Sequence, residues 1–136
     1  MPIEAYFRKM INGRLRETSF TAITAADVEE LVELLSEDTT DDAHIYHTER
    51  RSPSGKPDHL LTVGIRNHNH GAMSFLDSKF VQFFSKGDTP EFEPFYNERE
   101  FPPYCEVGKD VIKKALVEFF ETGTRPTSIK WQSEEL

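Results

Sequence analysis

Histidine pairs, one cysteine and two closely spaced glutamates are the residues of this sequence whose types and spacing suit chemistry. His68 and His70 form an H-x-H pair, and His44 and His47 an H-x-x-H pair. Two imidazoles converging from a turn can hold zinc, but a catalytic site takes a third protein ligand and a structural site a fourth. His44 and His47 lie three apart on an expected strand, whose two-residue period turns them to opposite faces. The histidines therefore read as exposed turn residues, and neither a metal site nor a cofactor is expected. Cys105 is the sole cysteine, which leaves no disulfide framework. As a nucleophile it needs a nearby base and a depressed pKa, whereas its neighbour Glu106 raises a thiol's pKa. Glu98 and Glu100 are paired carboxylates of the type used in glycoside chemistry, here set in a Pro-rich loop. Nucleophile-elbow, phosphate-loop, H-E-x-x-H and kinase patterns are missing from the sequence. The chain is expected not to be an enzyme.

Two stretches read better as contact surfaces. Between Glu91 and Glu106 the chain carries Glu91, Glu93, Glu98, Glu100 and Glu106 among Phe95, Tyr96, Phe101 and Tyr104, with Arg99 as its one cation. Aromatic anchors among carboxylates suit hot-spot binding and electrostatic steering toward a basic partner. The candidate contact residues are Glu91, Glu93, Tyr96, Glu98, Glu100 and Tyr104. The second stretch, Asp27 to Asp42, holds eight acidic residues and no basic one. Its candidates are Glu33, Glu37, Asp38, Asp41 and Asp42, with a solvated helix face as the plainer reading. A net charge of −8 and a pI near 5.1 argue against direct nucleic-acid binding, which needs a basic footprint.

These residues have to be positioned by strands, two helices and tight turns. Ile3, Ala5 and Phe7 share one face of a first strand, and Asn12-Gly13 is a hairpin turn signal before a return arm from Leu15 to Ile23. Thr24 is the expected N-cap of a helix from about Ala25 to Ser36, with Val28, Leu31, Val32 and Leu35 as its buried stripe. Strands are expected at Ala43–Glu49, Leu60–Arg66, Ala72–Leu76, Lys79–Ser85 and Glu91–Tyr96. Apolar residues on both faces of Lys79–Ser85 suggest cover on each side, which two helices can supply. From Lys109 the period changes. Val111, Ile112, Leu116 and Phe119 are expected to pack a helix over 109–122 onto the sheet. Gly123 ends it in the left-handed region and Pro126 stops it resuming. A last strand is expected over Thr127–Trp131, and Arg125 is expected to bond helix-terminal carbonyls or a carboxylate.

The segment FFETGTRPTSIKWQ, preceded by FPPYCEVGKDVIKKAL, resembles the C-terminal half of immunity protein family one of bacterial polymorphic toxin systems. That pattern is a helix, a Thr-Gly-x-Arg-Pro turn and a strand ending in Trp, carried here by Thr122, Gly123, Arg125, Pro126 and Trp131. LTVGIRNHNHGAMSFLD resembles the family's middle hairpin, with its Val-Gly step and turn glycine. The first 50 residues match only in the order of elements. The resemblance implies a non-catalytic protein that binds and neutralises a cognate secreted toxin. Toxins neutralised by such proteins include nucleic-acid deaminases. Gly123, Arg125, Pro126 and Trp131 are structural in this reading.

The fold expected is α+β, a mostly antiparallel sheet of six or seven strands with two principal helices, forming one immunity-protein-like domain over residues 1–136. A chain of this length buries roughly two-thirds of its unfolded surface. Without a long apolar run or an h-region, the cytoplasm is the expected compartment and no membrane contact is expected. The alternatives are an acidic adaptor or chaperone with a non-toxin partner, and a small enzyme working through Glu98/Glu100 or the histidines.

Overall fold

The computed structural model describes residues 2–37, 40–50, 53–55, 57–66, 69–79, 81–87, 95–96 and 99–133. Asn12 and Gly13, both at positive φ (52° and 78°), make the two-residue turn that joins β1 (Ile3–Ile11) to β2 (Arg14–Ala22). The register runs unbroken from Ile11 opposite Arg14 to Ile3 opposite Ala22. Helix α1 (Ala25–Leu35) starts with a reciprocal cap: Thr24 Oγ1 accepts the Asp27 N–H, while Asp27 Oδ2 accepts the amides of Ile23 and Thr24. Those donors, Ile23 first, hold the Asp27 carboxyl below its ordinary pKa.

Strands β3 (Ala43–His47), β4 (Leu60–Arg66), β5 (His70–Leu76) and β6 (Gln82–Ser85) follow. A short hairpin, β7 (Phe95–Tyr96) and β8 (Arg99–Glu100), precedes β9 (Val107–Gly108), α2 (Lys109–Thr122) and β10 (Trp131–Ser133). The main sheet is antiparallel in the order β10-β6-β5-β4-β3-β1-β2, with β9 added to β5. Strand β1 therefore lies inside the sheet, between β2 and β3, and β2 forms an edge.

Both helices pack on one face. Val28, Leu31, Val32 and Leu35 of α1 and Ile112, Ala115, Leu116 and Phe119 of α2 meet Ile3, Ala5, Phe7, Ile45, Leu61, Val63, Met73 and Phe75 in one core. These strand positions alternate, as one buried sheet face requires. The second face is covered over β5 and β6 by the chain after β8, where Phe101 and Cys105 bury against Ala72 and Phe84. The Phe84 and Phe101 rings meet edge to face at 5.6 Å. Ser85 Oγ donates to the Cys105 carbonyl at 2.6 Å. At Gly87 the backbones approach so closely that a Cβ would lie 1.9 Å from the Glu106 carbonyl oxygen. Strand β7 contacts β4. Over β1, β2 and β3 the outward residues Tyr6, Glu17, Ser19 and His44 are exposed.

Several expectations need correction. The two helices do not sandwich β6; one side is closed by the Phe101–Cys105 chain instead. Strand β6 starts at Gln82 because Asp77 Oδ1 accepts the amides of Lys79 and Val81 and turns that stretch away from a ladder. Val111 is 38% exposed, since the buried stripe of α2 centres on Ile112, Ala115 and Phe119 and leaves it on the flank. The last strand begins only at Trp131. Glu118 takes the amides of Thr127 and Ser128 first, so they point toward α2 and not into the sheet. Only Phe95–Tyr96 of the expected 91–96 strand is described.

Candidate functional site

The structure divides the two candidate surfaces unequally. Glu91, Glu93, Glu98 and Asp38 lie outside the described residues, as does His68 of the H-x-H pair. Tyr96 pairs with Arg99, and Glu100 with Phe95, across the β7–β8 hairpin. Tyr104 is 45% exposed and holds φ at 65°, a left-handed conformation uncommon for a bulky side chain. Its neighbours are fixed: Phe101 and Cys105 are buried, the Tyr104 carbonyl accepts the Gly87 N–H at 2.6 Å, and Pro103 accepts from Gln132. A tyrosine thus projects from a short arch pinned at both feet. Glu106, counted above with the surface carboxylates, is buried.

Three carboxylates of the acidic run are engaged by the chain's own cations. Asp41 receives Nε and Nη2 of Arg8, Glu37 meets Lys9 at 3.2 Å, and Glu33 meets Lys109 at 2.9 Å and Lys113 at 3.6 Å. The Lys109 hydrogen bond is the main reason the Glu33 carboxyl titrates below its ordinary range. These pairs tie α1 to α2 and the chain after α1 to β1. Exposed ion pairs of this kind contribute little stability, but they neutralise much of the field a partner would meet here.

A third surface was not legible in the sequence. Cross-strand pairing sets Ser19, Tyr6, His44 and Thr62 in one row across β2, β1, β3 and β4. With Arg8, Glu17, Asp41 and Asp42 they line an open hollow of about 750 Å³. Tyr6 is 45% exposed, its hydroxyl donates to Glu4 at 2.6 Å, and its ring lies 6.1 Å from that of Tyr46. Sequence alternation predicts only that these residues oppose the core. That β1 sits between β2 and β3, gathering them into one row, is a property of the topology.

His44 is exposed and His47 buried, on opposite faces as expected. Among the described residues no group of three or more His, Cys, Asp or Glu side chains is placed to hold a metal ion. No described helix is long and apolar enough to cross a membrane.

The family described as Immunity protein Imm1 matches residues 16–133. The chain belongs to that family. A comparison with curated proteins gave no match. Membership supports a toxin-neutralising immunity role and a cognate toxin as partner. In this Imm1 chain the Thr-Gly-x-Arg-Pro turn is held by contacts that sequence alone does not reveal. Gly123 has φ of 69°, and its N–H donates to the Phe119 carbonyl at 2.7 Å. The Gly123 carbonyl is taken by Arg50 and not by Arg125, whose guanidinium lies 3.8 Å from the centroid of the Phe83 ring. The Pro126 carbonyl accepts Nε1–H of half-buried Trp131 at 2.7 Å. Glu118 also accepts the Thr127 hydroxyl, and these donors overcome the opposing effect of burial to hold its carboxyl below the ordinary range. The immunity-family signature therefore closes α2 onto the sheet edge.

Proposed function

We propose that this immunity protein neutralises a cationic, nucleic-acid-targeting toxin by covering its active site, using the Glu/aromatic segment from Glu91 to Tyr104. A site that holds phosphates is cationic, and carboxylates can take the place of phosphates while aromatic rings fill the base pocket or its rim. The net charge of −8 supports such a partner. The observation that carries the choice of segment is Tyr104, held exposed between two buried anchors while Glu33, Glu37 and Asp41 are paired within the chain. Rim charge alone mainly speeds association; a fixed aromatic anchor adds affinity.

The immunity reading expects a toxin gene directly upstream of this chain's gene; the test uses the toxin domain it encodes, with association and dissociation rates measured at low and high salt. Tyr96→Ala and the double change Glu98→Lys/Glu100→Lys should weaken binding without lowering the melting temperature. Association of the native protein should slow as salt rises, because screening shortens the reach of an exposed charge to roughly 8 Å at physiological ionic strength. Loss of binding only on changing Glu33, Glu37 or Asp41 would move the contact to α1. Salt-independent association would remove the phosphate-mimic idea.

A further inference from the structure

Strand β2 ends the sheet, and among the described residues no strand pairs with its outer edge. Natural edge strands are commonly short, bulged, or marked by proline or lysine, because an open row of backbone groups is a template for another strand. Strand β2 runs nine residues in unbroken register with β1 and contains neither proline nor lysine. The Asn12-Gly13 turn closes on Ile11 and Arg14 as a hydrogen-bonded pair. The alternation that follows turns the amides and carbonyls of Leu15, Glu17, Ser19 and Thr21 outward. Two large apolar side chains are exposed at the ends of this edge, Leu15 by 52% and Ile23, just past the strand, by 66%. Exposed Arg14 and Arg16 make no ion pair among the described residues. Nor do exposed Glu29 and Glu30 on α1, the helix that packs beside β2.

We propose that β2 pairs antiparallel with β2 of a second copy of this chain, joining two sheets into one across a two-fold axis. An axis of this kind stands perpendicular to the sheet and centres on the same residue in both copies. Centring on Arg16 or Glu17 sets like charges opposite each other, which is unfavourable. Centring on Thr18 sets Thr18 against itself, Glu17 against Ser19, Leu15 against Thr21 and Arg14 against Ala22, and so uses the strand end to end. Phe20 and Ala22 pack on the helix side of the sheet. Arg16 then lies opposite Phe20 and Arg14 opposite Ala22, on the side where α1 of the second copy presents Glu29 and Glu30. On the other side Leu15 comes beside Ile23. The net charge of −8 on each copy opposes their approach at long range, but salt confines that field to roughly 8 Å at physiological ionic strength. At the contact itself, arginines meet carboxylates. Phe101 and Cys105 bury over β5 and β6, toward the opposite end of the sheet, so this dimer leaves Tyr104 open to a toxin.

Sedimentation of the purified chain over a concentration series should show a dimer, and a monomer at every soluble concentration overturns the proposal. The outward Ser19 amide takes no part in the ladder to β1, so Ser19→Pro removes a docking hydrogen bond and keeps the hairpin. That variant should be monomeric with native circular dichroism. A charge exchange tests the same contact without touching the backbone, and it decides alone if Ser19→Pro does not fold. Arg14→Glu/Arg16→Glu and Glu29→Lys/Glu30→Lys should each be monomeric by themselves, since like charges then meet. Mixed together they should associate, because both halves of the mixed contact again pair opposite signs. A dimer that survives Ser19→Pro in folded protein, or charge variants that do not recombine, overturns the edge pairing. No toxin enters the experiment, so its failure leaves the immunity reading untouched.

Discussion

The Nε2 atom of His59 accepts the backbone N–H of His47 at 2.9 Å. A nitrogen that accepts carries no proton, so the Nδ1 of His59 carries the proton and lies 3.0 Å from Asp58 Oδ1 as its donor. This buried imidazole is used in its neutral form. His47 is buried beside it, edge to face with Phe119, and neither of its ring nitrogens has a hydrogen-bond partner of good geometry, the Phe120 backbone interacting only weakly with the ring. Burial pushes both histidines below their ordinary pKa of 6.5, more strongly than the Asp58 contact raises His59 or the Phe120 backbone raises His47.

Stability should therefore fall with pH in a defined window. With folded-state values below 6.5, the unfolded chain takes up the protons first. Stability is full above about pH 6.5 and is lost as pH drops toward the depressed folded values. Asp58 and Glu118 also titrate low when folded, but their contribution is lost only below the ordinary values of 3.8 and 4.5. Thermal melts from about pH 7.5 to 5.5 should show a falling melting temperature. His47→Phe, which keeps a ring against Phe119, should flatten the slope. A native profile that is flat or rises on acidification would contradict the neutral-histidine reading.

Gly123 supplies a second stability test. At φ of 69° a Cβ is strained, and it would lie 3.3 Å from the His47 ring and 3.4 Å from Arg50 Cδ. Gly123→Ala should destabilise by about 1–2 kcal/mol from the left-handed conformation alone, and Gly123→Val by more. The denaturant midpoint measures both. Equal midpoints for native and Val proteins would mean that the turn is not rigid.

Local signals explain what was legible before the structure. The Asn12-Gly13 turn, the Thr24 cap, the buried stripe of α1, that of α2 apart from Val111, and the left-handed Gly123 are encoded within a few residues, and the sequence showed them. Long-range choices were not encoded locally. Whether Glu118 or the sheet takes the Thr127 and Ser128 amides depends on where α2 docks. Which carboxylates of the Asp27–Asp42 run stay unpaired depends on Arg8, Lys9 and Lys109, distant in sequence. The hollow is the extreme case. Tyr6, Glu17 and His44 read as ordinary outward strand positions until β1 is placed between β2 and β3.

Tyr104 allows the fold and the contact to be separated by sign. A non-glycine residue at φ of 65° carries strain of about 1–2 kcal/mol, and such strain concentrates at functional positions. Tyr104→Gly removes that strain and the ring together, while the carbonyl that accepts the Gly87 amide remains. Glycine adds freedom to the unfolded chain, which offsets part of the relief, so stability should stay within about 1 kcal/mol of native. Binding to the upstream-encoded toxin domain should weaken all the same, mainly through faster dissociation, because an anchor has been lost. A melt and a dissociation-rate measurement on the same preparation decide the matter. Clear loss of stability would make Tyr104 a part of the arch's own packing. Native stability with native dissociation would remove it from the contact.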